Sequence, residues 1–179
     1  MRLLRFSWVP AALLLAACGG NSAEAVIASD YQDLPADRVL FDATYLTTVD
    51  GIRRAVQRSD TMYIDEDSTQ ASLFGVKLLM YDTLGRQQAD LTSDRGLLNQ
   101  RTQKMVAQGN VVLLLADGRR VETEELHYDP EGQRIWSDVT TRMESTPGCV
   151  ATFETFTVDD KFNNPTGTNA RGCVPGLRL

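Results

Sequence analysis

The chain reads as an all-β domain built from stacked antiparallel hairpins, and three observations carry that reading. From about Val39 onward, short segments of alternating apolar and polar residues replace a small, polar leader. Turn signals separate these segments, and no helical period lasts longer than a couple of turns. A weak internal repeat of roughly thirty residues recurs along the same region.

The N-terminus has its own pattern. Arg2 and Arg5 precede an apolar stretch from Phe6 to Ala17, broken only by Ser7 and Pro10, which ends in Leu15-Ala16-Ala17-Cys18-Gly19. As a helix it would cover roughly 18 Å, well short of the ~30 Å hydrocarbon core of a bilayer. Residues 1–17 are therefore expected to be a secretion signal and not a membrane span. The string around Cys18 resembles a bacterial lipobox, which implies cleavage before Cys18 and diacylation of its thiol. The alternatives are an ordinary signal peptide with a chance cysteine, or a buried helix. Residues 18–38 have no apolar periodicity and read as a tether.

The folded domain is expected over 39–162. Asp50-Gly51 and Asp117-Gly118 are pairs that favour two-residue hairpins, because both central positions need positive φ. Leu84-Gly85 and Pro130-Glu131-Gly132 mark two further turns. The pattern leaves room for one short helix before the first strand. Val76, Leu78 and Met80 share a face, with Lys77 opposite, and a second face carries Met105, Ala107, Gly109, Val111, Leu113 and Leu115. The run Val111 to Leu115 is apolar on both faces, which suggests a strand covered on both sides by a second sheet, a partner or a ligand. Burial inside a sandwich is the plainer alternative.

The repeat aligns Ser93–Asn99 with Thr123–Asp129, and Gln103–Ala107 with Gln133–Ser137; Ser59–Val76 fits the same outline with a longer connection. Each unit is strand, polar turn, strand. Such units bury an apolar face only by stacking, and stacking leaves terminal edges open to another chain.

Charge narrows the partners. Lys+Arg 18 against Asp+Glu 24 gives a net charge of −6, which becomes −8 once Arg2 and Arg5 leave with the signal. No basic cluster compensates, so nucleic acid is excluded, and an anionic lipid would have to be held by its apolar part. Beyond Cys18 an even pair remains, Cys149 and Cys173. In an exported chain they read as a disulfide tying back the C-terminal tail, 163–179, with two free buried thiols as the alternative.

Catalytic and cofactor signals are missing. His127 is the single histidine, no Cys/His set has metal-ligand spacing, and no phosphate loop or nucleophile elbow occurs. Glu124-Glu125 and Asp159-Asp160 are adjacent strand residues that point to opposite faces, which suits a surface better than a general acid and base. The expectation is a protein that is not an enzyme and has no cofactor or metal.

The stretch from Met105 to Met143, MVAQGNVVLLLADGRRVETEELHYDPEGQRIWSDVTTRM, resembles the OstA-like repeat of lipopolysaccharide-transport proteins. The stretch from Val49 to Gly96 is similar to the first half of the LptC family. The resemblance implies an open, V-shaped β-jellyroll whose inner surface holds acyl chains. It also implies a periplasmic subunit that takes lipopolysaccharide from the permease subunits of an inner-membrane ABC transporter and passes it to an LptA-like bridge protein. ATP hydrolysis by the transporter supplies the energy.

Two departures qualify the resemblance. Family members commonly carry an N-terminal transmembrane helix, whereas this chain offers a lipid anchor, most simply in the inner membrane. Residues Pro147 to Phe153 occupy the place of a frequent glycine-rich segment. The expected acyl groove is lined by Val76, Leu78, Met80, Leu98, Met105, Val111, Leu113, Leu115, Ile135, Val139 and Met143; alternatively these residues fill a closed core. The competing functional reading is a structural or assembly lipoprotein of the envelope whose elongated β-repeat carries no lipid.

Overall fold

A computed structural model of the protein describes residues 36–66, 68–146 and 148–173. The expected signal segment, Cys18 and the tether up to residue 35 lie outside the described residues, as does most of the stretch in which a helix could precede the first strand. Among the described residues there is no helix. Twelve strands form one antiparallel sheet: β1 (Arg38–Val49), β2 (Ile52–Ile64), β3 (Gln70–Tyr81), β4 (Gln87–Asn99), β5 (Met105–Leu115), β6 (Arg120–Asp129), β7 (Arg134–Ser137), β8 (Thr141–Thr146), β9 (Cys149–Phe153), β10 (Thr155–Asp159), β11 (Thr166–Thr168) and β12 (Arg171–Gly172). The strands from β1 to β7 are joined in sequence order, and β10 and β11 follow β7.

The sheet is creased across the middle of its strands. At β6 it forks: Thr123 and its predecessors pair with β8, while residues from His127 onward pair with β7. The first branch continues through β9 to β12, the second through β10 to β11. The two branches extend two walls that face each other, and the long strands β1 to β6 bend from one wall into the other.

A short repeated motif makes the crease. Ser59-Asp60, Ser93-Asp94, Thr123-Glu124 and Ser137-Asp138 each bury the hydroxyl residue and expose the acid. A bend breaks the ladder and leaves backbone carbonyls in need of donors. The Ser93 hydroxyl donates to the Arg95 carbonyl (2.9 Å), Thr123 to that of Glu125 (3.3 Å) and Ser137 to that of Val139 (3.1 Å). Two of the acids, Asp60 and Asp94, turn outward over a glycine of the next strand. A Cβ on Gly75, at φ +61°, would overlap the Asp60 carboxylate, and one on Gly109, at φ +75°, would lie 2.9 Å from Asp94 Oδ2. Inward parity changes there: Ala71 and Leu73 point inward before the bend in β3, and Val76, Leu78 and Met80 after it.

The turns follow local chemistry. Asp50 and Gly51, at φ 52° and 76°, close the two-residue hairpin that their pairing predicts. Asp117-Gly118 does not. There the loop is Ala116-Asp117-Gly118, with Gly118 N–H bonded to the Leu115 carbonyl (3.0 Å) and only Gly118 at positive φ. The extra residue makes a three-residue turn with a bulge, the form also taken by Thr83-Leu84-Gly85. The repeat seen in the sequence is most literal in the turns 100–103 and 130–133. Asn99 Oδ1 accepts from the N–H groups of Arg101 and Thr102, Asp129 Oδ1 from those of Glu131 and Gly132, and Gln103 and Gln133 both adopt positive φ.

The core lies between the walls and is tightest toward β5–β10, where Phe153, Phe156, Leu113, Ile135, Val111 and Val121 are all under 2 % exposed or close to it. The expectation that Val111 to Leu115 is covered on both faces fails. Val111, Leu113 and Leu115 are buried, but Val112 is half-buried and Leu114 is 46 % exposed, because the outer face of β5 has no second layer. The sheet also runs past residue 162, since the expected tail contributes β11 and β12. Cys149 and Cys173 are disulfide-bonded, with Cα atoms 5.0 Å apart.

Candidate functional site

At the β1–β3 side the two walls stand apart and enclose a cavity of about 760 Å³, within the range of small-molecule and lipid sites. One wall presents Val49, Ala55, Gln57, Leu78 and Met80. The other presents Leu98, Met105 and Tyr128, with Thr102, Gln103 and Gln133 from the turns. A narrow apolar recess continues inward between Leu91, Ala107, Leu113, Leu126 and Ile135. Arg54, Asp82, Glu131, Asp160 and Lys161 also line the cavity, so both signs of charge are present and an anion meets no net attraction. Burial, and then the Asp160 carboxylate, pushes the Tyr128 phenol up from its ordinary range, which keeps it neutral.

One side chain bridges the walls. Gln103 Nε2 donates to Tyr45 Oη (3.2 Å) and to the Gln100 carbonyl (2.7 Å), and Thr47 Oγ1 donates to Gln103 Oε1 (3.4 Å). The edge strand β1 is thus tied to the β4–β5 turn by weak, partly exposed hydrogen bonds. Around this side the apolar surface is wet: Leu40, Phe41, Leu46 and Val49 are each about half exposed, and Tyr45, Ile52 and Phe74 more than a third. Strand β1 pairs only with β2 among the described residues.

The sequence-derived groove residues divide into three groups. Leu78, Met80, Leu98 and Met105 line the cavity; Leu113 and Ile135 line only the recess behind it. Val76, Val111 and Met143 are buried in the packed core, and Leu115 borders a separate polar cleft at the rim. Val139 is a misplacement. It is 39 % exposed on the β7–β8 connection, because the crease at Ser137-Asp138 interrupts the alternation that put it inward. Sequence reasoning missed Tyr45, Thr47, Val49, Ala55, Gln57 and Tyr128. Their signal was the alternation of β1 and β2, but only the register that sets Gln57 between Tyr45 and Leu78 brings them together.

The groups considered for catalysis lie apart. The His127 ring stacks on Trp136 (centroids 4.9 Å apart) and its Nε2 is 2.8 Å from Glu125 Oε1, a cross-strand cluster on the outer face. Hydrogen bonds from Gln108 and then His127 hold the Glu125 carboxyl below its usual range. Asp159 caps its turn through the N–H groups of Lys161 and Asn163, while Asp160 lines the cavity. Among the described residues no group of three or more His, Cys, Asp or Glu side chains could hold a metal ion.

No curated relative matches the sequence. A family model described as lipopolysaccharide-assembly, LptC-related, matches residues 11–151, a span that takes in both walls of the cavity and stops before β10. Creased sheet, stacked hairpins and matched span agree, and the chain belongs to the LptC-related lipopolysaccharide-assembly family.

Proposed function

We propose that the protein is a periplasmic lipopolysaccharide-transport subunit which shelters acyl chains in the cavity between its walls. The observation that carries this reading is the separation of the walls at β1–β3, lined by Val49, Leu78, Met80, Leu98 and Met105. Each methylene moved from water to such a surface contributes about 0.8 kcal/mol, so ten of them contribute about 8 kcal/mol. That exceeds what screened repulsion between surface anions opposes. Attraction through the tails suits a chain of net charge −6 whose cavity carries both signs.

The same reading assigns Cys18 as the lipid-bearing residue, with the anchor in the inner membrane. Strand β1, twelve residues long and rich in exposed apolar side chains, is the edge that meets the permease subunits of an ABC transporter. The C-terminal edge, reduced to the short strands β11 and β12, meets an LptA-like bridge protein. Strand addition at such edges supplies main-chain hydrogen bonds without any catalytic residue. The test is a photo-crosslinking amino acid placed at Thr47, which lines the cavity, or at Lys77, which faces outward. Thr47 is expected to capture lipopolysaccharide in cells and Lys77 not; equal labelling would sink the proposal.

A further inference from the structure

The cavity contains a polar group that an apolar groove does not need. Gln57 lines it with only 4 % of its surface exposed, and neither its Nε2 nor its Oε1 has a hydrogen-bond partner among the described residues. Its neighbours across the ladder are Tyr45 and Leu78. On the facing wall the Thr102 hydroxyl lines the same cavity and is likewise buried without a partner. Elsewhere the buried hydroxyls of Ser93, Thr123, Ser137 and Thr141 are bonded, while that of Ser59 and the Asp90 Oδ1 also lack a partner among the described residues. An amide with free donor and acceptor is costly where it cannot be solvated and useful where a ligand completes it.

We infer that Gln57, with Thr102 opposite, forms a polar recognition point within the groove for an acyl chain that itself carries a hydroxyl or amide group. The inference rests on the cavity being an acyl-chain site. In the empty cavity the Gln57 amide is closed off from solvent and its hydrogen bonds go unmade. A plain hydrocarbon chain leaves that amide unpaired, whereas a chain hydroxyl or amide that meets it supplies the missing bonds. Gln57 therefore favours substituted chains over unsubstituted ones.

The experiment compares a saturated fourteen-carbon fatty acid with its 3-hydroxy derivative, each displacing a fluorescent fatty acid from the full chain. The wild-type protein is expected to prefer the hydroxylated acid by about fivefold to tenfold, the worth of one or two net hydrogen bonds. Gln57→Met, close in size and apolar, is expected to erase the preference mainly by weakening the hydroxylated acid, and Thr102→Val to reduce it. Equal affinity in the wild type, or a preference that survives Gln57→Met, overturns the polar recognition point and leaves the groove standing. Failure of both acids and of the fluorescent probe to bind overturns the groove reading itself. The wild-type comparison stands even where a variant does not fold.

Discussion

The two ends of the sheet share one alternating pattern and reach opposite outcomes. Around β5–β10 the walls touch, and Phe153, Phe156, Ile135, Leu113 and Val111 pack without exposure. Around β1–β3 equivalent inward positions face a cavity, and apolar side chains such as Leu46 and Val49 stay more than half exposed. The closed end makes the fold stable, and the open end keeps apolar area available. A protein that merely extended a sheet would gain by closing both.

Truncation should expose that difference most. Phe153→Ala removes a ring from the packed end and is expected to cost about 3–5 kcal/mol in denaturant unfolding. Val49→Ala, at the open end, should change stability by no more than about 0.5 kcal/mol, since the lost contacts are few. Comparable losses at the two sites would erase the distinction between the ends. Next in size is the bond between Cys149 and Cys173, which are 24 residues apart. Replacing both by serine is expected to destabilise by about 3 kcal/mol through the entropy of the unfolded chain, read as a lower denaturation midpoint. Because the bond lies at the closed end, ligand affinity should hold.

The smallest effects concern charge on the outer faces. Glu122 accepts from Arg120 (2.8 Å) and Arg142 (2.7 Å), and these hydrogen bonds hold its carboxyl below the usual range. A depressed carboxylate favours the folded state fully above its unfolded pKa, and that contribution is lost as pH falls through the folded value. Thermal midpoints should therefore drop on acidification below the ordinary carboxylate range, less steeply in Glu122→Gln. At neutral pH that substitution should cost no more than about 1 kcal/mol, because the pairs are solvated. Lys104, raised by its hydrogen bond to Asp129, works the other way: its contribution holds below the ordinary lysine range and is lost as pH rises through the raised value.

What was legible in the sequence is what short-range chemistry decides. Asp50-Gly51 makes its turn alone, and the repeat that aligns Ser93–Asn99 with Thr123–Asp129 pairs positions whose hydroxyls bond the same way, although nothing in the alignment marked them as bends. The alternation of Val76, Leu78 and Met80 correctly separates inner from outer face. It does not say whether an inward side chain meets another wall. Leu78 and Val111 have the same local pattern, yet one lines the cavity and the other is buried in packed core. Wall separation is a property of the whole crease and of the register across it. Val139 shows the second limit, since alternation carried through a bend loses its meaning. Gln57 shows the third: a glutamine in a strand looks like a surface residue until both neighbouring strands are placed.

Native mass spectrometry of the gently purified protein tests the open-end account most directly, with Ala55→Trp as its partner because Ala55 lines the cavity and a bulky ring there would fill it. The wild-type chain is expected to carry a bound glycolipid that the Ala55→Trp chain, still folded, has lost. A wild-type chain free of lipid, or equal lipid on both, would contradict it.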